Sequence, residues 1–376
     1  MMQSLQEQRV AMYNGNKLKI GLFGFNCSSG RAVTTVPERW PGDWEHNLRL
    51  AQLADEAGID FLLPIARWKG YGGDTDYQGT TYETITWAAS LLASTKRITV
   101  FGTVHAPLFS PIIASKQMVT ADHVGRGRFG LNIVCGWNEG EFEMFGVSQQ
   151  DHAGRYAQGQ EWFDVIRKIW SEDDFDFTGA FYNMRGVRVK PKPFGGTLPI
   201  TMNAGISPEG RAFAIRNCDA LFTTPNLSRN LDKVAEDVRE AKNAARAAGH
   251  DIGVFTVGVI TCRPTKREAE EYFRHTVVDN ADWRAVDNIM AMKQWDKTLP
   301  PDELQKAREG YAQGMGGWPL VGDPDTIADQ LATVAEVGMT GIGLSFVNYE
   351  RELPFFIAEV LPRLERKGLR AATVRA

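Results

Sequence analysis

The sequence predicts a (β/α)8 TIM barrel, an α/β fold, and three observations carry that prediction. Short β-rich runs alternate with longer segments of helical period along the chain, and eight such runs stand out: residues 18–25, 60–64, 97–103, 129–134, 198–203, 219–223, 253–262 and 341–346. The turn after the first run, Phe25-Asn26-Cys27-Ser28-Ser29-Gly30, lacks the GxGxxG pattern that a doubly wound nucleotide-binding sheet would place there. A chain of 376 residues with 43% hydrophobic and 23% charged content has ample core for one barrel of this size.

The helical segments expected between the strands are 44–57, 81–93, 111–124, 156–170, 231–248, 266–277 and 325–337. Their ends carry readable punctuation. Gly58 follows the first helix and Gly338 the last, each where a left-handed residue closes a helix. Asp323-Pro324 pairs a capping carboxylate with a proline at the first helical position. Two segments exceed the bare repeat and read as insertions after strands 4 and 7. Residues 175–193 suggest a small hairpin, and residues 281–317 a mostly helical excursion that serves as a lid, a surface feature or a subunit contact. All of 1–376 is expected to form a single domain.

A net charge of −4, with basic and acidic residues interspersed, argues against a nucleic-acid partner. The four cysteines, Cys27, Cys135, Cys218 and Cys262, form no CxxC pair and lie in or beside apolar runs, so buried free thiols are expected. The six histidines are scattered without metal-ligand spacing, and no metal is expected. No apolar stretch is long enough to span a bilayer, and Met1 to Gln8 lack an apolar signal core, which points to the cytoplasm.

The richest segment is Gly127 to Asn138, in which Phe129, Leu131, Ile133 and Val134 supply strand bulk around Asn132. An amide there must find partners: its own backbone, or a ligand. The carboxyl ends of the other strands gather Asn26, the run Ala66-Arg67-Trp68-Lys69-Gly70-Tyr71, Thr103, His105 and Asn203. The turn through Asn203-Ala204-Gly205-Ile206-Ser207-Pro208 enters a helix, so its N–H groups and the Ser207 hydroxyl suit a phosphate, with Arg155 as a cation and Tyr156 beside it. Ser207 also suits a plain N-cap, and Arg155 a solvated helix start. Trp68, Tyr71 and Trp137 are either ring-stacking walls or loop anchors. A polar rim with a phosphate seat, and with no Ser/His/Asp or Cys/His signature, points to a cofactor carrying the chemistry.

Gly127-Arg128-Phe129-Gly130-Leu131-Asn132-Ile133-Val134-Cys135-Gly136-Trp137 resembles the GRFGxNxVTGW signature of the bacterial luciferase-like flavin monooxygenases, with Cys135 in place of the usual Thr. Leu320-Val321-Gly322-Asp323-Pro324 resembles the late helix entry of that family, and the resemblance runs from Lys19 to Pro362. The branches it approaches are the pyrimidine monooxygenases, through Arg67 to Gly73 and Thr103, and the dimethyl sulfone monooxygenases, through Asn26 to Gly30 and Gly136 to Phe142. The resemblance implies a luciferase-like barrel and a two-component reaction. FMN, supplied as FMNH2 by a separate NAD(P)H-dependent reductase, would react with O2, and a flavin peroxide would oxygenate a small electrophile such as a cyclic amide. It places cofactor binding on Ala66, Arg67, Asn132, Glu141, Arg155, Tyr156 and Ser207. Catalysis falls on Asn132, Thr103 and Arg67, and the substrate and oxygen pocket on Leu63, Trp68 and Trp137. Ala66-Arg67 stands where the pyrimidine branch has Ile-Lys. A sulfone substrate, deazaflavin-dependent hydride transfer and a non-catalytic flavin-binding role are the alternatives. Members often pair, so a homodimer or tetramer is also implied.

Overall fold

The computed structural model describes residues 10–224 and 230–372; Met1 to Gln8, read above for a signal core, lie outside them. Eleven strands occur among the described residues: β1 (Lys19–Phe23), β2 (Phe61–Leu63), β3 (Thr99–His105), β4 (Phe129–Val134), β5 (Phe175–Thr178), β6 (Asn183–Val187), β7 (Ile200–Ala204), β8 (Ala220–Phe222), β9 (Gly253–Cys262), β10 (Trp318–Gly322) and β11 (Gly341–Ser345). All eight predicted strands are present. The chain divides into two compact units, one built mainly on residues 83–222 and the other on 15–82 and 253–376.

In the first unit β3, β4, β7 and β8 lie side by side and parallel. Register sets Thr103 opposite Asn132, and Asn132 opposite Met202. The strands read as apolar runs because they are buried on both faces, with Phe101, Val104, Leu131, Ile133 and Met202 all in the core. Helices Pro111–Val124 and His152–Ser171 cover them, the second burying Trp162, Phe163, Ile166 and Trp170. The expected hairpin is β5 paired antiparallel with β6.

In the second unit the parallel order is β10-β9-β11-β1-β2. The caps behave as read: Asp323 Oδ1 accepts from the Thr326 N–H at 2.8 Å, and Gly58 and Gly338 take φ of +73° and +90°. Residues 281–317 fold as helices Trp283–Met292, Trp295–Thr298 and Pro301–Ala312. β10 was missed, because Trp318 to Gly322 is short and contains Pro319, which sequence reading demotes from a strand. It pairs along the last five residues of β9, from Gly258 to Cys262.

All four cysteines are buried and free. Burial pushes the thiols of Cys27, Cys135 and Cys262 up to about 12, and that of Cys218 higher still. No described helix is long and apolar enough to cross a membrane.

Candidate active site

In the first unit, adjacent parallel strands deliver Thr103 and Asn132 to the same level, and the Asn132 Nδ2 donates to Thr103 Oγ1 at 3.2 Å. Both are buried, Asn132 at 4% exposure and Thr103 at 6%. The amide is not closed on its own backbone: Asn132 Oδ1 is buried with no hydrogen-bond partner among the described residues. Two more buried asparagines of this unit share that condition among the described residues, Asn203 at Oδ1 and Asn138 at Nδ2. Asn203 spends its Nδ2 on the Ile133 carbonyl at 2.7 Å, and Asn138 begins helix Glu139–Met144 without capping it through its side chain.

The predicted phosphate seat assembles from three elements of this unit. Ser207 caps helix Pro208–Asn217, its Oγ accepting from the Gly210 N–H at 3.1 Å, and it is hydrogen-bonded to Tyr156. Gly205 and Gly210 pack backbone to backbone: a Cβ on Gly205 would meet the Gly210 carbonyl carbon at 2.5 Å, and one on Gly210 would meet the Tyr156 hydroxyl at 2.5 Å. Glycine is required at both by close approach. Burial pushes the Tyr156 hydroxyl above its ordinary value, so it stays protonated and able to donate. Arg155 bonds the Gly136 carbonyl through Nη1, while its Nε is buried with no partner among the described residues. The plain N-cap and the phosphate seat are thus compatible for Ser207, whereas Arg155 is not a solvated helix-start residue.

Glu141 is buried on helix Glu139–Met144, its Oε2 3.8 Å from His105 Nε2. Gly136, at φ +75°, opens the turn before Trp137, whose side is 40% exposed. Glu139 and Glu143 share the short helix with Glu141, so they do not form the facing pair that sugar hydrolysis would need.

In the second unit Leu63 ends β2 fully buried, and Asn26 fixes the turn that follows: its Nδ2 donates to the Ile65 carbonyl and its Oδ1 accepts from the Ile65 N–H, both at 2.8 Å. Ala66, Arg67 and Trp68 come next, all partly buried, with the Arg67 guanidinium 4.5 Å from the centroid of Tyr71. Tyr71 therefore acts as a platform for a cation.

Sequence reading missed the side chain that fastens this loop. Asp282, fully buried, accepts from the N–H groups of Asp74, Thr75 and Ala285 and from the Thr75 hydroxyl, at 2.7 to 3.1 Å. Burial opposes its charge, but these bonds prevail and its pKa is lowered. The only hint in sequence was the Gly-rich loop Gly70 to Gly79, which needs an anchor.

A family model described as "Luciferase-like monooxygenase" matches residues 18–341. The chain belongs to the luciferase-like monooxygenase family. An FMNH(2)-dependent dimethylsulfone monooxygenase of Pseudomonas fluorescens (strain Pf0-1) is 31% identical over 357 residues, covering 93% of this chain and 95% of that protein. Pyrimidine monooxygenase RutA of Enterobacter sp. (strain 638) is 28% identical, covering 95% and 99%. Among solved structures, riboflavin lyase (RcaE) with modified FMN and riboflavin superposes with a TM-score of 0.84 at 23% identity, over 96% of this chain and 94% of that one. The fold is the luciferase-like (β/α)8 barrel, as the sequence predicted, and the chain is an enzyme of the monooxygenase class.

Proposed function

We propose that this family member is a two-component monooxygenase that uses reduced FMN and O2 to oxygenate a small electrophilic molecule. The observation that carries the reading is Asn132: a buried strand amide tied to Thr103 on one side and left with an open acceptor on the other. Such an atom costs stability unless a ligand completes it. The open groups of Asn138, Asn203 and Arg155 support the same reading, since a flavin brings ring donors and acceptors together with a phosphate.

When bound, reduced FMN supplies two electrons and O2 supplies the inserted atom, the second oxygen leaving as water. The chain's own residues do the rest. Arg155, Tyr156, Ser207 and the positive end of helix Pro208–Asn217 hold the phosphate, and the Gly205–Gly210 contact keeps that seat free of side chains. Asn132 and Thr103 orient the reacting edge with neutral hydrogen bonds in a dry setting, where preorganised donors have the most effect. By the resemblance, Glu141, Ala66 and Arg67 would also belong to the cofactor set, and Leu63, Trp68 and Trp137 to the oxygen and substrate pocket. A separate NAD(P)H-dependent reductase supplies the flavin, and the whole chain works as one domain, in the cytoplasm, as a homo-oligomer.

The substrate is a pyrimidine-like cyclic amide in one form of this reading and a sulfone in the other; relatives named for each are similar to the chain to nearly the same degree. Anaerobic titration with reduced FMN, followed by an oxygen pulse in the presence of uracil or dimethyl sulfone, tests it. Saturable binding with substrate-dependent oxygen uptake is the expected result. Absence of reduced-FMN binding would overturn it.

A further inference from the structure

Six residues that the site above does not use line a cavity of about 480 Å³ within the second unit: Glu38, Arg263, Tyr272, Asn348, Arg351 and Glu352. Its size is that of a small-molecule site. Arg263 directly follows β9, Asn348 to Glu352 follow β11, and Glu38 lies on the loop after β1. These three strands are neighbours in parallel register, so the cavity stands where their carboxyl ends converge, the side on which parallel sheets and barrels place ligands.

The walls are held before any ligand arrives. Glu352, with its side chain 9% exposed, accepts from Arg263 Nη1 at its Oε2 and from the Asn348 N–H at its Oε1, both at 2.8 Å. Arg263 Nη1 also donates to the Cys262 carbonyl at 2.8 Å, and its guanidinium lies 3.9 Å from the centroid of Tyr272. The Tyr272 hydroxyl donates to Glu38 Oε1 at 3.0 Å, and Asn348 ties the rest, its Nδ2 donating to the Glu38 carbonyl at 2.8 Å and its Oδ1 accepting from the Arg351 N–H at 3.0 Å. Burial raises the Glu352 carboxyl and the charge of Arg263 opposes that rise, so the two are a matched pair.

Subtracting these bonds shows what remains for a ligand. Glu352 has spent both oxygens, and its charge offsets that of Arg263. Among the described residues, Glu38 Oε2, the Arg351 guanidinium, and Nε and Nη2 of Arg263 have no partner, and Glu38 and Arg351 form no ion pair with each other or with any third group. One cavity thus carries an uncommitted charge of each sign, with a second guanidinium edge beside them. A simple anion would face Glu38 and a simple cation would face Arg351, whereas a molecule bearing both charges meets a complement at each end. We propose that this cavity binds a small zwitterion, an amino acid whose carboxylate sits on Arg351 and the open edge of Arg263 and whose ammonium sits on Glu38. The inference is independent of the monooxygenase reading, since no residue of the cavity enters it.

The full chain is titrated calorimetrically with L-alanine, L-serine and L-glutamine, and with propionate and ethylamine, each of which keeps one pole of alanine. Wild type should bind at least one amino acid saturably, and at least about tenfold more tightly than either single-pole compound. R351M should weaken the preferred amino acid at least about tenfold, and E38Q, which keeps the acceptor for Tyr272 but removes the charge, should bring it down to the level of propionate. R267M, at an exposed arginine on the helix that carries Tyr272, should change nothing. Thermal unfolding of R351M and E38Q at the wild-type temperature shows that the fold is intact. Propionate or ethylamine binding as tightly as the amino acids overturns the zwitterion; amino acids that fail to bind wild type, or that bind R351M and E38Q equally well, overturn the site.

Discussion

Asn132 and Asp282 are both buried polar side chains, yet the two units treat them oppositely. Asp282 accepts four hydrogen bonds across its two oxygens, and nothing about it asks for a ligand. Asn132 keeps one oxygen open, and in the same unit Asn203 leaves its Oδ1 and Asn138 its Nδ2 without a partner among the described residues. A saturated group is scaffold, and an unsaturated one at equal depth is a socket. The difference separates residues that hold the site from residues that use it.

Four substitutions break or sharpen that contrast. N132A should lower oxygenation by roughly 100- to 1000-fold while reduced FMN still binds, because one preorganised group is lost; steady-state oxygen uptake and flavin titration give the two numbers, and unchanged turnover would remove Asn132 from the chemistry. D282A should instead cost about 3 kcal/mol of stability, seen by denaturant unfolding. The pH dependence follows from the lowered pKa of Asp282: the carboxylate's contribution is complete above the unfolded value near 3.9 and is lost as pH falls through the lower folded value, so the gap between wild type and D282A should narrow in acid.

G210A should weaken FMN binding by about 2 kcal/mol, since the new methyl meets Gly205 and the Tyr156 hydroxyl; equal affinity would place the phosphate elsewhere. S207A should cost about 1 kcal/mol in both FMN affinity and stability, through the lost hydroxyl and the lost cap. If only stability falls, Ser207 is scaffold like Asp282.

The repeat was legible because buried parallel strands are written as unbroken apolar runs, and Pro111 to Val124 or Phe129 to Val134 could be bounded to the residue. So was the cradle: Asn132, Arg155, Tyr156 and Ser207 sit in local patterns of strand amide, helix start and Ser-Pro cap. Asp282 was not legible, since it acquires its meaning from a residue about two hundred positions away, Thr75.

The buried thiols bear on the enzyme's endurance. Oxidants attack the thiolate, and with pKa values near 12 Cys27, Cys135 and Cys262 are almost wholly protonated at neutral pH as well as shielded. Cys135 lies in the signature turn itself, against Gly159. A catalyst that handles activated oxygen at every turnover thus keeps its thiols out of reach of its own by-products, and sulfenylation of Cys135 would record the moments when the fold opens.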